Sequence, residues 1–211
     1  MNAQNPVGSG YAASLQRPGG NVTGVATLMI ELGAKRLQLL KEAFPRVAHV
    51  VVLFEPTHAS GHLQVKEIED GATRLKMRVT PIEVRRAADI EPAFQRGAAL
   101  GADAYMDTQS FLFITEARAI VDRILRAKVP AIFSGTRMAD AGGLMAYSYL
   151  WKENVRRAAS YVDRIFKGAN PGDLPIEQPT KFELVLNLKT AKAMGFAFSD
   201  SFLVRADRVI E

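Results

Sequence analysis

From Arg46 onward the sequence alternates short, continuously apolar runs with longer stretches of helical period, and no other feature constrains the fold as tightly. A run that is apolar on both faces of a strand must be covered on both sides, which is the condition of a parallel sheet flanked by helices. "HVVVLF" (His49 to Phe54) is the clearest such run, since β-branched residues fill both of its faces. An amphipathic stretch from Gly61 to Lys76 follows, expected to turn Leu63, Ile68, Ala72 and Leu75 inward, and then the strand "RVTPIEV" (Arg78 to Val84). Asp89 is placed to cap a helix carrying Ile90, Ala93, Phe94 and Ala98, and "ADAYMD" (Ala102 to Asp107) reads as the third strand. One helix from about Phe111 to Ala127 leads to "VPAIFSG" (Val129 to Gly135), and "GGLMAYS" (Gly142 to Ser148) completes a five-stranded block. The fold class is therefore α/β, a doubly wound parallel sheet.

Ahead of this block "NVTGVATL" reads as a strand, and Glu31 to Phe44 as a helix burying Leu32, Leu37, Leu40 and Phe44. Behind it, Trp151 to Lys167 is expected as a helix with Val155, Ala158, Ala159, Val162, Ile165 and Phe166 inward, stopped by Gly168 and Pro171. Prolines 171, 175 and 179 make the next stretch extended and stiff. A strand from Phe182 to Leu186, a helix from Leu188 to Met194 and a short helix near Phe202 to Ile210 end the chain.

Composition excludes several classes. With no Cys, disulfides, thiolate metal sites and Cys nucleophiles are ruled out. The net charge of +5 invites a nucleic-acid reading, but its basic residues are scattered and separated by acidic ones, with no aromatic-flanked basic stripe, so no nucleic-acid partner is expected. No apolar run approaches the roughly 20 residues of a spanning helix, and residues 1 to 15 lack the basic start and apolar stretch of a signal peptide.

In open α/β sheets ligands bind beyond the carboxyl ends of the strands, where loops and helix N-termini present polar groups without breaking the ladder. That rule selects Glu55, then Asp107, Thr108 and Gln109, then Ser134 and Gly135, then Tyr147 and Ser148. Each has a plainer alternative. Asp107 could cap the following helix, Ser134 the turn from Thr136 to Ala141, Tyr147 could be a half-buried hinge aromatic, and Glu55 a strand terminator before Pro56. Enzymatic readings are poorer. His58 and His62 stand four apart near Glu55, but Gly61 lies between them and HExxH is not formed, so no metal is expected. Ser9 in "VGSGY" lacks the nucleophile-elbow spacing, and "GGNVTG" is neither a dinucleotide fingerprint nor a P-loop. No catalytic set and no cofactor is indicated. The alternatives to a binding protein are a flavodoxin-like enzyme or nucleotide-binding domain, for which "FEPTHASGH" offers only Gly61 as a phosphate cradle, and a dimerising sensor module without ligand.

"RPGGNVTG", "KRLQLLKEAFP", the run from "AGGLMAYSYLWKENVRRAASYVDRIFKG" through "ANPGDLPIEQPTKFELVLNLKTAKAMG", and "RADRVIE" together resemble the bacterial ABC transporter substrate-binding proteins whose better-studied members bind aromatic amino acids such as tryptophan. The resemblance spans nearly the whole chain. It implies the type I periplasmic-binding-protein fold, two α/β lobes joined by three crossings that close on a small organic solute, with an ABC permease as partner and a periplasmic or cell-envelope location. It places the crossings at Val25 to Leu28, Ser148 to Trp151 and Gln178 to Phe182, so that 28–148 with 182–211 form the second lobe and 1–27 with 149–181 a remnant of the first. It adds Asn5, Pro6, Gly8 and Ser9 as a loop facing the ligand. It also implies that the opening "MNAQNPVGSG" corresponds to a point about a hundred residues into the family's chain, leaving the first lobe incomplete. An apolar stripe on the Trp151 helix without its usual cover is expected to recruit one, as a homodimer or swapped assembly.

Overall fold

The computed structural model describes residues 2–3 and 5–211. The chain divides into a larger unit, Met29–Ser148 with Glu183–Glu211, and a smaller one, Met1–Leu28 with Tyr149–Phe182.

The larger unit is built on a seven-stranded sheet. In chain order its strands and helices are α1 (Leu32–Ala43), β3 (His49–Phe54), α2 (Gly61–Leu75), β4 (Arg78–Glu83), α3 (Ile90–Ala99), β5 (Ala104–Asp107), α4 (Phe111–Thr115), α5 (Ala117–Ala127), β6 (Ala131–Phe133), α6 (Thr136–Asp140), β7 (Met145–Tyr149), β8 (Phe182–Asn187), α8 (Leu188–Met194), α9 (Asp200–Leu203) and β9 (Arg208–Ile210). The strands stand in the order β4-β3-β5-β6-β7-β8-β9, with β4 to β7 parallel throughout and β8 parallel to β9. All six residues of β3 are buried, as a run apolar on both faces requires. Helices α1 and α2 cross where Gly33 meets Ile68 and Gly71 meets Ala34. A Cβ on either glycine would come within 2.7 and 2.8 Å of those side chains, so glycine sets the approach. One contiguous apolar core, from Leu37 to Phe202, fills the space between sheet and helices.

Several expectations are corrected here. Leu63 is 45% exposed, and Gln64 and Val65 take the inward positions of α2, because the stripe through Gly61, Ile68 and Ala72 passes through residues 64 and 65. On α3 it is Gly97, packed under Tyr105, and not Ala98 that faces the core. Asp89 does not cap α3 with its side chain. Its carboxylate turns back to the amides of Arg85 and Arg86. The single helix over 111–127 is two, broken at Glu116. The C-terminal residues form α9 and then a strand, β9, which with the expected strand at Phe182 extends the five-stranded block to a sheet of seven.

The smaller unit contains β1 (Asn2–Ala3), β2 (Val25–Ala26) and α7 (Trp151–Phe166). The expected strand over "NVTGVATL" shrinks to β2, which pairs in parallel with β1 and, through Val25, with Glu177. Its apolar core is small: Ala12, Ala26 and Ile176, with Leu15 against them. Backbone hydrogen bonds compensate, from Ala26 N–H to Glu177 O, Glu177 N–H to Gly24 O and Ile176 N–H to Leu15 O at 2.7–3.1 Å. Helix α7 is turned opposite to expectation. Val155, Val162 and Phe166 are 45%, 50% and 86% exposed, and Ala158 and Ala159 are exposed, while Asn154 and Tyr161 are the buried positions. The inward face is held by polar contacts: Tyr161 Oη donates to Pro175 O (2.5 Å) and to Glu177 Oε1 (3.0 Å), and Arg157 pairs with Glu177.

Candidate functional site

Parallel register brings the strand tips to one edge. Leu53 stands beside Asp107, Met106 beside Ile132 and Phe133 beside Ala146, so the residues after β3, β5, β6 and β7 emerge together. From β3 the chain first steps outward to β4 and then returns to lay down β5 on the other side. This reversal makes the gap between β3 and β5 the topological switch point, where neighbouring loops diverge and leave room for a ligand. Glu55 flanks it on one side and Thr108 and Gln109 on the other.

The edge is rigidly held. Asp107 is buried and accepts both the Ser134 amide (2.7 Å to Oδ1) and the Ser134 hydroxyl (2.8 Å to Oδ2), tying the β5 tip to the β6 tip. Ser110, not Asp107, caps α4, by accepting from the Phe113 amide at 3.2 Å. Gly135, not Ser134, occupies the N-cap position of α6. Thr108 is buried, and its amide donates to Leu53 O across the switch point. Gln109 is half-buried. Its backbone is clamped by the fully buried Gln64 side chain, whose Oε1 accepts the Gln109 amide (2.9 Å) and whose Nε2 reaches Gln109 O (3.4 Å) and Ser60 Oγ (3.1 Å). Glu55 is half-buried and receives Thr57 Oγ1 at 3.0 Å. Ser148 is buried; Gly135 and Tyr147 are half-buried. Burial, and secondarily the Asp207 carboxylate, push the Tyr147 phenol up. Glu55, Gln109, Gly135 and Tyr147 are thus the accessible members of the set, with Asp107, Thr108, Ser134 and Ser148 beneath them.

In the smaller unit Asn5, Gly8 and Ser9 are exposed and Pro6 is buried. They form one compact turn in which Asn5 Oδ1 accepts the Gly8 amide (2.9 Å), Asn5 O the Ser9 amide and Pro6 O the Tyr11 amide.

Two residues outside the expected set shape the strand tips. Gln64 is one. The other is Arg36 on α1, 0% exposed, none of whose three guanidinium nitrogens meets a hydrogen-bond acceptor among the described residues. Burial lowers its pKa to about 10, with Asp107 acting in the opposite direction, so it is a cation at neutral pH. Burial raises the Asp107 pKa, against the pull of Arg36 and the two Ser134 bonds. Both residues carried a legible signal: each is a polar residue on an otherwise apolar stripe, Arg36 beside Leu32, Gly33, Leu37 and Leu40, Gln64 beside Val65, Ile68 and Ala72.

Among the described residues no group of three or more His, Asp or Glu side chains could hold a metal, and no helix is long and apolar enough to cross a membrane. His49 bridges Gly101 O and Thr80 Oγ1, and His58 meets Ser60 Oγ through Nδ1, which gives both structural partners.

A parallel α/β sheet with a polar, braced carboxyl edge at its switch point belongs to the class of open, doubly wound α/β architectures, which place ligand sites, where they have them, at such an edge. Within that class, the ABC transporter substrate binding protein family matches residues 1–210, and the chain belongs to it. A tyrosine-binding protein of Clostridioides difficile (strain R20291) is 24% identical over 192 residues, 90% of this chain and 54% of its own length. The chain therefore spans about half the length of that curated relative. Among solved structures, an ABC domain from Streptococcus pneumonia in complex with L-Trp superposes with a TM-score of 0.90 at 24% identity, over 99% of this chain and 70% of the other. A conserved domain protein from Vibrio cholerae gives 0.88 at 23%, over 98% and 69%. The larger unit has the architecture of one lobe of a type I periplasmic binding protein.

Proposed function

We propose that this chain is a solute-binding component of an ABC-type importer, without catalytic activity, and that it takes a small organic solute of aromatic or amino-acid-like character at the carboxyl edge of the larger unit. One observation carries the reading. The strand tips at the switch point offer Glu55, Gln109, Gly135 and Tyr147 on a base fixed by the Asp107–Ser134 and Gln64–Gln109 bonds, and a braced polar edge binds without first having to be ordered. Tyr147 supplies an aromatic face, and Glu55 an anionic group for an ammonium. The tyrosine-binding relative and the L-Trp complex support the aromatic amino-acid class.

Asn5, Pro6, Gly8 and Ser9 stand in this reading as further contacts, and 28–148 with 182–211 as the family's second lobe, 1–27 with 149–181 as part of its first. The reading extends to a membrane permease as partner, to the periplasm or cell envelope as location, and to a second copy of the chain that covers α7. Titration calorimetry with tryptophan, tyrosine and phenylalanine tests the solute class. Saturable binding of at least one, weakened about tenfold or more by Tyr147→Ala, is expected, since one lost aromatic contact amounts to about 1.4 kcal/mol. Saturable binding of none overturns the reading.

A further inference from the structure

Arg36, on the buried stripe of α1, is 0% exposed, and none of its three guanidinium nitrogens meets an acceptor among the described residues. A guanidinium is all donor and no acceptor, and an ion buried without partners is among the least stable arrangements a fold can hold. The path of the chain fixes where this one lies. Helix α1 packs beside β6 and runs into β3 over 44–48, so it is antiparallel to the strands, with its first turn at their carboxyl edge. Helical side chains lean toward the N-terminus, which carries the Arg36 guanidinium up toward the tips of β5 and β6.

Asp107 stands at that level. Of the charged groups around the strand tips, Arg36 is the one that acts on the Asp107 carboxyl and Asp107 the one that acts on Arg36, yet no hydrogen bond joins them. An ionised carboxyl has about four acceptor positions, of which the Ser134 amide (2.7 Å to Oδ1) and hydroxyl (2.8 Å to Oδ2) take one on each oxygen. Donors without acceptors therefore face acceptors with free positions, across a separation too long for a direct bond.

We propose that Arg36 and Asp107 enclose an internal water site, in which ordered water accepts from the guanidinium and donates to the carboxylate, and that Arg36 acts through this water as a positioning residue for the Asp107–Ser134 brace. The two charges select the guest. An anion would satisfy Arg36 and be repelled by Asp107, and a cation the reverse. Water is both acceptor and donor, and between these two groups it finds the roughly two to four polar partners that a buried water takes. The link favours the ionised form of Asp107, which is acceptor-only and can receive both Ser134 donors, whereas a protonated carboxyl gives up acceptor capacity to a donor of its own. The site is internal to the larger unit and does not depend on which solute binds.

A crystal structure of the chain, at a resolution that shows ordered solvent, should place water within about 2.7–3.2 Å of both an Arg36 nitrogen and an Asp107 oxygen. Arg36 bonded directly to Asp107, or to other protein acceptors with no water between, overturns the site. Carboxyl NMR titration tests the positioning role. Arg36→Met should move the Asp107 titration to higher pH and speed amide exchange at Ser134, and Arg36→Lys, which keeps the charge, should restore most of both. Arg36→Gln, still polar but uncharged, gives the same readout where the methionine variant does not fold. An Asp107 titration and a Ser134 exchange rate that ignore the loss of the charge overturn the role. None of these outcomes bears on solute binding, which the calorimetry decides separately.

Discussion

The two units solve the same problem of covering an amphipathic helix, and they solve it in opposite ways. In the larger unit α1, α2 and α5 press apolar stripes onto a parallel sheet, and of the polar residues that fall on those stripes Gln64 braces the strand tip at Gln109, while Arg36 is buried with no hydrogen-bond acceptor among the described residues. In the smaller unit α7 has as strong an apolar stripe, yet it points that stripe outward and docks by Tyr161, Arg157 and Asn154. Amphipathicity states which face gains from burial, not whether a surface exists to bury it. Where the described residues of the unit provide two short strands and a small apolar cluster of Ala12, Ala26 and Ile176, hydrogen bonds and an ion pair hold the helix instead.

Matched aromatic truncations give the sharpest contrast. Phe113 is 1% exposed in the larger core and Phe166 is 86% exposed on α7. Phe113→Ala should cost about 3–5 kcal/mol through the lost contacts and the cavity, whereas Phe166→Ala should change urea stability of the monomer by no more than about 0.5 kcal/mol. Equal effects would mean that α7 is buried in solution.

Next in size is the clamp at the switch point. Gln64→Ala removes a buried side chain that accepts the half-buried Gln109 amide and should cost about 1–3 kcal/mol, with faster amide exchange at Gln109 and unchanged exchange in β4. In the smaller unit Tyr161→Phe removes the bonds to Pro175 and Glu177 and should cost about 1 kcal/mol, read as faster exchange along α7. Faster exchange confined to α1 or α2 would assign the wrong partner surface to Tyr161.

The smallest effect is a pH slope. Because the Asp107 pKa is raised on folding, the folded chain keeps a proton that an unfolded carboxyl, with an ordinary pKa of about 3.9, has already released. The stability this group contributes is complete below that ordinary value and is lost as pH rises through the raised one. Asp107→Asn should remove the slope, so that denaturation midpoints of the native protein fall relative to the variant as pH increases from about 4. A difference that shrinks with rising pH would show that Arg36 and Ser134 outweigh burial.

Much of the larger unit was legible in the residues. β3 and α8 lie where the periodicity puts them, β4, β5 and β6 fall within the expected spans, and β7 overruns its span by one residue, Tyr149. Those elements follow from local pattern, because a strand apolar on both faces has few other homes. The terminal strand β9 was not legible: "RVI" is short, and its pairing with β8 depends on a hydrogen bond from Leu184 to Asp207 that no local pattern records. The candidate site divides in the same way. The strand-tip rule selects Asp107 and Ser134 as candidates, but that both are buried and bonded to each other depends on side chains 27 residues apart meeting.

By itself, then, the sequence determined the α/β class, the order of strand and helix, and the stripes along which each helix could be buried, since these are properties of neighbours within a few residues. Tertiary structure alone decided the seventh strand, the clamp that Gln64 makes on Gln109, and the outward turn of α7. Each of those depends on which surfaces, distant in sequence, are present to receive a side chain, and the free energy of burial is set by the receiving surface as much as by the residue that enters it.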